Sequence, residues 1–176
     1  DHTTTLEDFK ETLKRVAGMG YSMVEFAGFP DDCAPEDAKK ACAELGLKHT
    51  SVFVPANILL DERQKALDIA LGSDSTHVCM PFPGGVDLKD RYDVEQWLDR
   101  LQASAAWLGE KGVTLAYHHH AHEFHRPGGG STMMEMILER TEIPFELDTY
   151  WVQDGGGCPV EWARRLAKSG RLALLH

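Results

Sequence analysis

The stretch Val113-Thr114-Leu115-Ala116-Tyr117-His118-His119-His120-Ala121-His122-Glu123-Phe124-His125 decides how the chain is read. It starts as a β-strand over 113–117, rich in β-branched, aromatic and apolar residues, and runs without a break into histidines. Five of the nine histidines of the chain fall between positions 118 and 125. Along a strand alternate residues share a face, so His118 and His120 converge and His119 points away. Glu123 lies three residues past His120, within reach once the chain turns. Imidazole and carboxylate together form the ligand set of Zn, Mn, Fe and Co. A solvated loop with coincidental histidines is the plainer alternative.

Outward from this stretch the punctuation is regular. Helices are expected over 5–18, 35–45, 61–71, 92–111, 132–140 and from 159. Strands are expected over 21–26, 48–54, 76–80, 113–117, 145–148 and 171–176. Thr5 with Asp8, and Thr132 with Glu135, have capping-box spacing; Pro35 and Gly46 bracket the second helix. These are six helix-then-strand units of roughly 30 residues each, which means a parallel sheet covered by helices. The Gly/Pro-rich segments 81–90 and 126–130 follow strand C-termini, where ligands bind in such sheets.

Two architectures fit this alternation. A doubly wound open sheet suits six strands, whereas a TIM barrel uses eight strands and about 250 residues. Counting favours the open sheet. Its usual chemistry is missing, however: no G-x-G-x-x-G follows the first strand, and no G-x-x-x-x-G-K-[ST] occurs. The run Gly155-Gly156-Gly157 leads into Cys158-Pro159 and matches neither.

Composition narrows the function classes. The chain has 176 residues, 43% of them hydrophobic and 26% charged, ordinary for one globular domain over 1–176. Eighteen basic against 28 acidic residues leave a net charge of −10, which argues against nucleic acid or an anionic membrane as the partner. The cysteines Cys33, Cys42, Cys79 and Cys158 form no C-x-x-C pair and read as reduced thiols. A cytoplasmic location is expected, with a removed signal left open because the chain begins at Asp1.

Two further strand ends carry polar groups. Phe145-Glu146-Leu147-Asp148-Thr149-Tyr150-Trp151 ends an apolar strand on Asp148, and Leu172-Ala173-Leu174-Leu175-His176 ends one on His176. Alone, Asp148 reads as a loop cap and His176 as a core histidine. Three polar groups at three successive strand ends are instead a metal-site candidate. Glu25 interrupts the apolar Met23-Val24-Glu25-Phe26 and needs a partner or a function: a salt bridge to an interior base, or a substrate contact. Trp151 beside Asp148 is either packing or the wall of a sugar pocket. Trp97, Trp107, Trp162 and the group Met133, Met134, Met136 read as packing.

Gly20-Tyr21-Ser22-Met23-Val24-Glu25, Leu115 to His120 with Glu123-Phe124, Glu146-Leu147-Asp148-Thr149 and Gly170-Arg171-Leu172-Ala173-Leu174-Leu175-His176 bear a family likeness. In these stretches the chain resembles the sugar phosphate isomerase/epimerase family of xylose isomerase-like TIM barrels. The resemblance implies an α/β TIM (β/α)8 barrel with about six of its eight strands present. It places the first strand before Asp1 and the last part after His176, so the chain is expected to be a piece of a longer product. It implies a divalent metal, Mn, Co, Zn or Mg, held by a Glu, an Asp, a His and a last Glu. Asp148 and His176 match the middle two. Glu123 is taken as the first, although alignment by strand ends alone puts His118 there; the last Glu has no counterpart.

The activity so implied is metal-dependent isomerisation or epimerisation of a sugar or sugar derivative, by proton transfer beside a carbonyl through an enediolate. Glu123, His118 and His120 are the expected catalytic residues, and Glu25, Trp151 and His118 the expected substrate contacts. A lyase or dehydratase acting on a keto-sugar, keto-glycoside or keto-inositol is the runner-up. A non-catalytic sugar-binding or degenerate barrel is the third reading. The expected partner is a small carbohydrate, with no nucleic acid and no membrane, and a homo-oligomer is among the expected assemblies.

Overall fold

The computed structural model describes residues 4–176. Six parallel strands form one sheet in chain order: β1 (Met23–Phe26), β2 (Lys48–Phe53), β3 (His77–Met80), β4 (Thr114–His118), β5 (Phe145–Leu147) and β6 (Leu172–Leu175). Between them run α1 (Leu6–Gly18), α2 (Pro35–Leu45), α3 (Ala56–Asp61), α4 (Arg63–Ser73), α5 (Arg91–Gly109), α6 (Met133–Arg140), α7 (Thr149–Asp154) and α8 (Pro159–Lys168). The order is that of a barrel wound in one direction, not of an open sheet whose order reverses midway. The sheet is curled, because Glu25 on the first strand reaches Glu146 on the fifth. It forms a curled part-barrel of six strands, with β1 and β6 at its edges among the described residues.

Alternation along each strand sorts the side chains. Val52, Val78, Leu115, Tyr117, Phe145 and Leu147 are buried towards the helices, where Tyr117 meets Trp97 of α5. Each such burial contributes on the order of 1.5–3 kcal/mol. The other face of the strands carries Glu25, Cys79, His118 and Glu146 towards the barrel interior. Here the spacing of chemistry-bearing residues, not their hydrophobicity, sets what the interior can do.

Most expected elements form, for the reasons expected. The Thr5 side chain accepts from the Asp8 N–H, Thr132 and Glu135 close a capping box, and Gly46 ends α2 at φ 67°. Three elements differ. The helix expected over 61–71 forms as α4, shifted to 63–73, and an unexpected short helix, α3, precedes it, the two separated where Glu62 leaves helical conformation at φ −128°. The segment after Asp148 is α7, started by Asp148 itself, whose carboxylate accepts from the Trp151 N–H. The segment after His120 is a short 3₁₀ helix, Ala121–Phe124. Among the described residues no helix is long and apolar enough to cross a membrane. All four cysteines are free.

Candidate metal centre at the strand ends

Strands β4, β5 and β6 end side by side. In their ladders His118 pairs with Glu146, and Leu147 pairs with Leu175. The ladder continues one step further: the His176 N–H donates to the Leu147 carbonyl at 2.9 Å and the Thr149 N–H to the His176 carbonyl at 3.0 Å. This fixes Asp148 and His176 as neighbours. His176 Nδ1 and Asp148 Oδ2 are 2.9 Å apart.

His118, Asp148 and His176 each present one ligand atom, all within 4.8 Å of one another. His118 and Asp148 are buried, while the His176 side chain is 54% exposed, so the cluster opens to solvent on one side. Burial alone would raise Asp148, but the Trp151 N–H and His176 outweigh it and hold the carboxyl below its usual value. The same Asp148 hydrogen bond raises His176. An anionic carboxylate between two imidazoles is a donor set that fits a divalent metal.

His119 does point to the other face, and it is not idle there. It is fully buried, and its Nε2 accepts the Asp148 backbone N–H at 3.2 Å, tying β4 to the end of β5. Burial lowers its pKa, which keeps this acceptor neutral. His118 and His120 converge as expected, with ring centroids 5.0 Å apart.

Glu123 lies in a different group, with His120 and His122. It is 0% exposed. Tyr117 Oη donates to its Oε1 at 2.7 Å, the His120 N–H donates to Oε2 at 2.8 Å, and His122 Nε2 stands 3.1 Å from Oε1. Burial opposes ionisation, but His122, Tyr117 and the His120 N–H hold its pKa low. Glu123 therefore secures the 3₁₀ helix, and the structure brings His118 rather than Glu123 to Asp148 and His176.

One layer below the mouth, Glu25, Cys79 and Glu146 place their polar atoms within 4.8 Å of one another. No interior Lys or Arg reaches Glu25 among the described residues; its neighbours are Glu146 and Ser51. Burial, reinforced by Glu146, pushes Glu25 up to about 7. Glu146 stays below the usual carboxylate range: burial opposes this, but the nearby His118 and Glu25 lower it. The pair thus divides into a proton-holding Glu25 and an anionic Glu146.

Trp151 is half-buried on α7 and packs against His120, with ring centroids 5.1 Å apart. Sequence reasoning missed Phe82, which leans over His122 at 4.8 Å from the loop after β3. That loop was flagged only for its Gly and Pro content. The glycine run also finds its reason here. A Cβ on Gly155 would sit 2.4 Å from the Phe124 ring, and one on Gly157 would sit 2.8 Å from it. These glycines let α7 close on the 3₁₀ helix. A cavity of about 670 Å³ lies beside this contact, lined by Leu88, His122, Phe124 and Gly155.

No family model and no curated protein matches the sequence. Solved structures do match. A sugar phosphate isomerase/epimerase from Parabacteroides distasonis is 24% identical, with a TM-score of 0.83 over 97% of this chain and 69% of that one. An L-ribulose 3-epimerase is 16% identical, with a TM-score of 0.74 over 99% and 65%. A probable 3-DHS dehydratase from Bacillus anthracis is 12% identical, with a TM-score of 0.72 over 96% and 66%. The fold is therefore that of the xylose isomerase-like TIM barrels. The chain spans about two thirds of the length of these structures.

Proposed function

We propose that the chain carries the metal-binding wall of a sugar isomerase or epimerase, which moves a proton at a carbon beside a carbonyl. The observation that carries this reading is the convergence of His118, Asp148 and His176 at three successive strand ends of this fold. Active sites of such barrels lie at that face. A triad of two imidazoles and one carboxylate suits Zn, Co or Mn better than Mg, and three protein ligands leave a position open for substrate. A metal held there supplies Lewis-acid polarisation of a substrate carbonyl.

The rest of the chemistry falls to the side chains around the triad. His120 stands at the rim, 5.0 Å from the His118 ring, and burial lowers its pKa. It is a neutral base near pH 7, suited to accept and return a proton. Glu123 supports it from behind by accepting its backbone N–H. Its oxygens are engaged, so the catalytic base is His120 and not Glu123. Trp151 and Phe82 flank His120 and His122 with apolar faces that suit the C–H faces of a sugar. Glu25 lies in the layer beneath, where its polar neighbour is Glu146, so it acts on the floor of the site and not as a direct substrate contact.

A lyase or dehydratase reading draws on one specific feature. His118, His120 and His122 line the same mouth, and an imidazolium there is a general acid for a departing oxygen. The substrate is a small carbohydrate or carbohydrate-derived ketone in either case. Incubating the metal-loaded full-length protein in deuterated water with ketoses, keto-inositols and 3-keto-glycosides separates the readings. Deuterium incorporated with isomer or epimer formation supports the first. Loss of water or of a glycosyl leaving group supports the second. No exchange with any of them, on a folded and metal-loaded protein, leaves the non-catalytic sugar-binding reading.

A further inference from the structure

Behind the triad stands a carboxylate that the chemistry above leaves unused. Glu146 is two residues before Asp148 on β5, so its side chain enters the same interior face one layer down. It is 1% exposed. Its ladder partner is His118, and Oε2 of Glu146 lies 3.5 Å from Nδ1 of His118. At 3.5 Å the contact is longer than a formed hydrogen bond; neither atom has any other partner, and both are enclosed. Phe53, His120 and His176 surround the imidazole, with ring centroids 5.2, 5.0 and 5.0 Å away. None of them offers Nδ1 an acceptor.

A neutral imidazole carries one N–H and one lone pair, and the nearest acceptor decides which nitrogen holds the proton. Only Glu146 is available at Nδ1. We propose that Glu146 is a positioning residue: it keeps the His118 proton on Nδ1 and so leaves the Nε2 lone pair for a cation shared with Asp148 and His176. The pairing also supplies negative charge to a histidine ligand from behind, where a direct carboxylate ligand would carry it itself. Metal-bound histidines commonly need such a partner for ring orientation and basicity. Glu25 and Cys79, the other members of the buried group, are not cations and do not compete for Glu146 as counter-ions.

The cation half of this inference rests on the functional reading above; the tautomer half does not. The test therefore begins on metal-free full-length protein with ¹⁵N-labelled histidine, at alkaline pH where imidazole is neutral. Long-range ¹⁵N–¹H spectra should show His118 as the Nδ1–H tautomer in the wild type. Glu146→Gln, nearly the same shape without the charge, should mix or invert that tautomer while leaving the His119 signature unchanged. Co²⁺ affinity by chelator competition should fall by about 10–100-fold in Glu146→Gln. Glu146→Asp should recover part of it. A wild-type His118 protonated on Nε2, or a tautomer and Co²⁺ affinity unmoved by Glu146→Gln while Asp148→Asn abolishes binding, overturns the proposal. A wild type with the expected tautomer that binds no Co²⁺ overturns the functional reading instead, and removes the cation half with it.

Discussion

The two ends of strands β4 to β6 are built to opposite rules. At the N-terminal end Arg171 is 8% exposed, yet its guanidinium is fully engaged. It donates to the Thr141 carbonyl at 2.6 Å and to the Ile143 carbonyl at 2.9 Å, and also to Thr141 Oγ1 at 3.2 Å. Glu142 adds an outer ion pair at 3.9 Å. At the C-terminal mouth and its floor, enclosed polar atoms of Glu25, His118, His120, His122 and Glu146 make no well-formed hydrogen bond; His122 Nε2 and His118 Nδ1 have only their looser contacts to Glu123 and Glu146. Of the enclosed unpartnered side-chain atoms among the described residues, only His49 Nδ1 lies outside that region. A buried polar atom without a partner costs on the order of 1–3 kcal/mol, so their concentration at one end supports the proposed metal site there. In barrels of this kind the mouth does chemistry and the base holds the fold.

The largest expected effect follows at the base. Arg171→Met strands two carbonyls and a hydroxyl, and should lower stability by about 2–4 kcal/mol in denaturant titration. If the ends are independent, the folded fraction keeps its cation affinity. Gly155→Ala comes next, because its Cβ would collide with the Phe124 ring. It should cost about 1–3 kcal/mol and disturb the 3₁₀ helix under His120. Gly109→Ala is the control: no atom lies within 4 Å of its added Cβ, and α5 should be unchanged or slightly stabilised.

A smaller effect distinguishes the buried carboxyls by sign. Glu25 is raised from 4.5 to about 7 in the folded protein. Between those values the native state holds the extra proton, so stability falls as pH rises from 4.5 to about 7. Glu25→Gln should abolish that fall and be the more stable protein above it. Glu123 is lowered, so its contribution is present above the ordinary value and is lost as pH falls through the lower one. Glu123→Gln should therefore weaken the protein at neutral pH and flatten its acid limb. Melting curves against pH read both. Equal slopes for the two variants would break the distinction between an unsatisfied floor and a satisfied support.

Much of this was legible in the sequence. Apolar periodicity with Gly and Pro stops marked six helix–strand units, and three strand ends carried His118, Asp148 and His176. Curling into a part-barrel was not legible from counting, which favours an open sheet; it shows in space, where Glu25 meets Glu146 across the curl. Nor does spacing reveal which residue after a strand end turns inward. The 3₁₀ turn buries Glu123 against Tyr117 and leaves the place beside Asp148 to His118. The role of Glu146 was hidden for the same reason, since its partners lie on other strands. Glu62 breaks α3 from α4 without any Gly or Pro to announce it.

The most direct test of the central claim is metal content. Elemental analysis of the folded full-length protein, purified without chelator, should give close to one equivalent of Zn, Co or Mn. Asp148→Asn should lose it, with a change in stability of about 1 kcal/mol or less, since the shorter acceptor role towards the Trp151 N–H survives in Asn. A folded wild type without metal that takes none up from added Zn²⁺, Co²⁺ or Mn²⁺, or an Asp148→Asn variant that keeps its full equivalent, would contradict the assignment of this mouth as a metal centre.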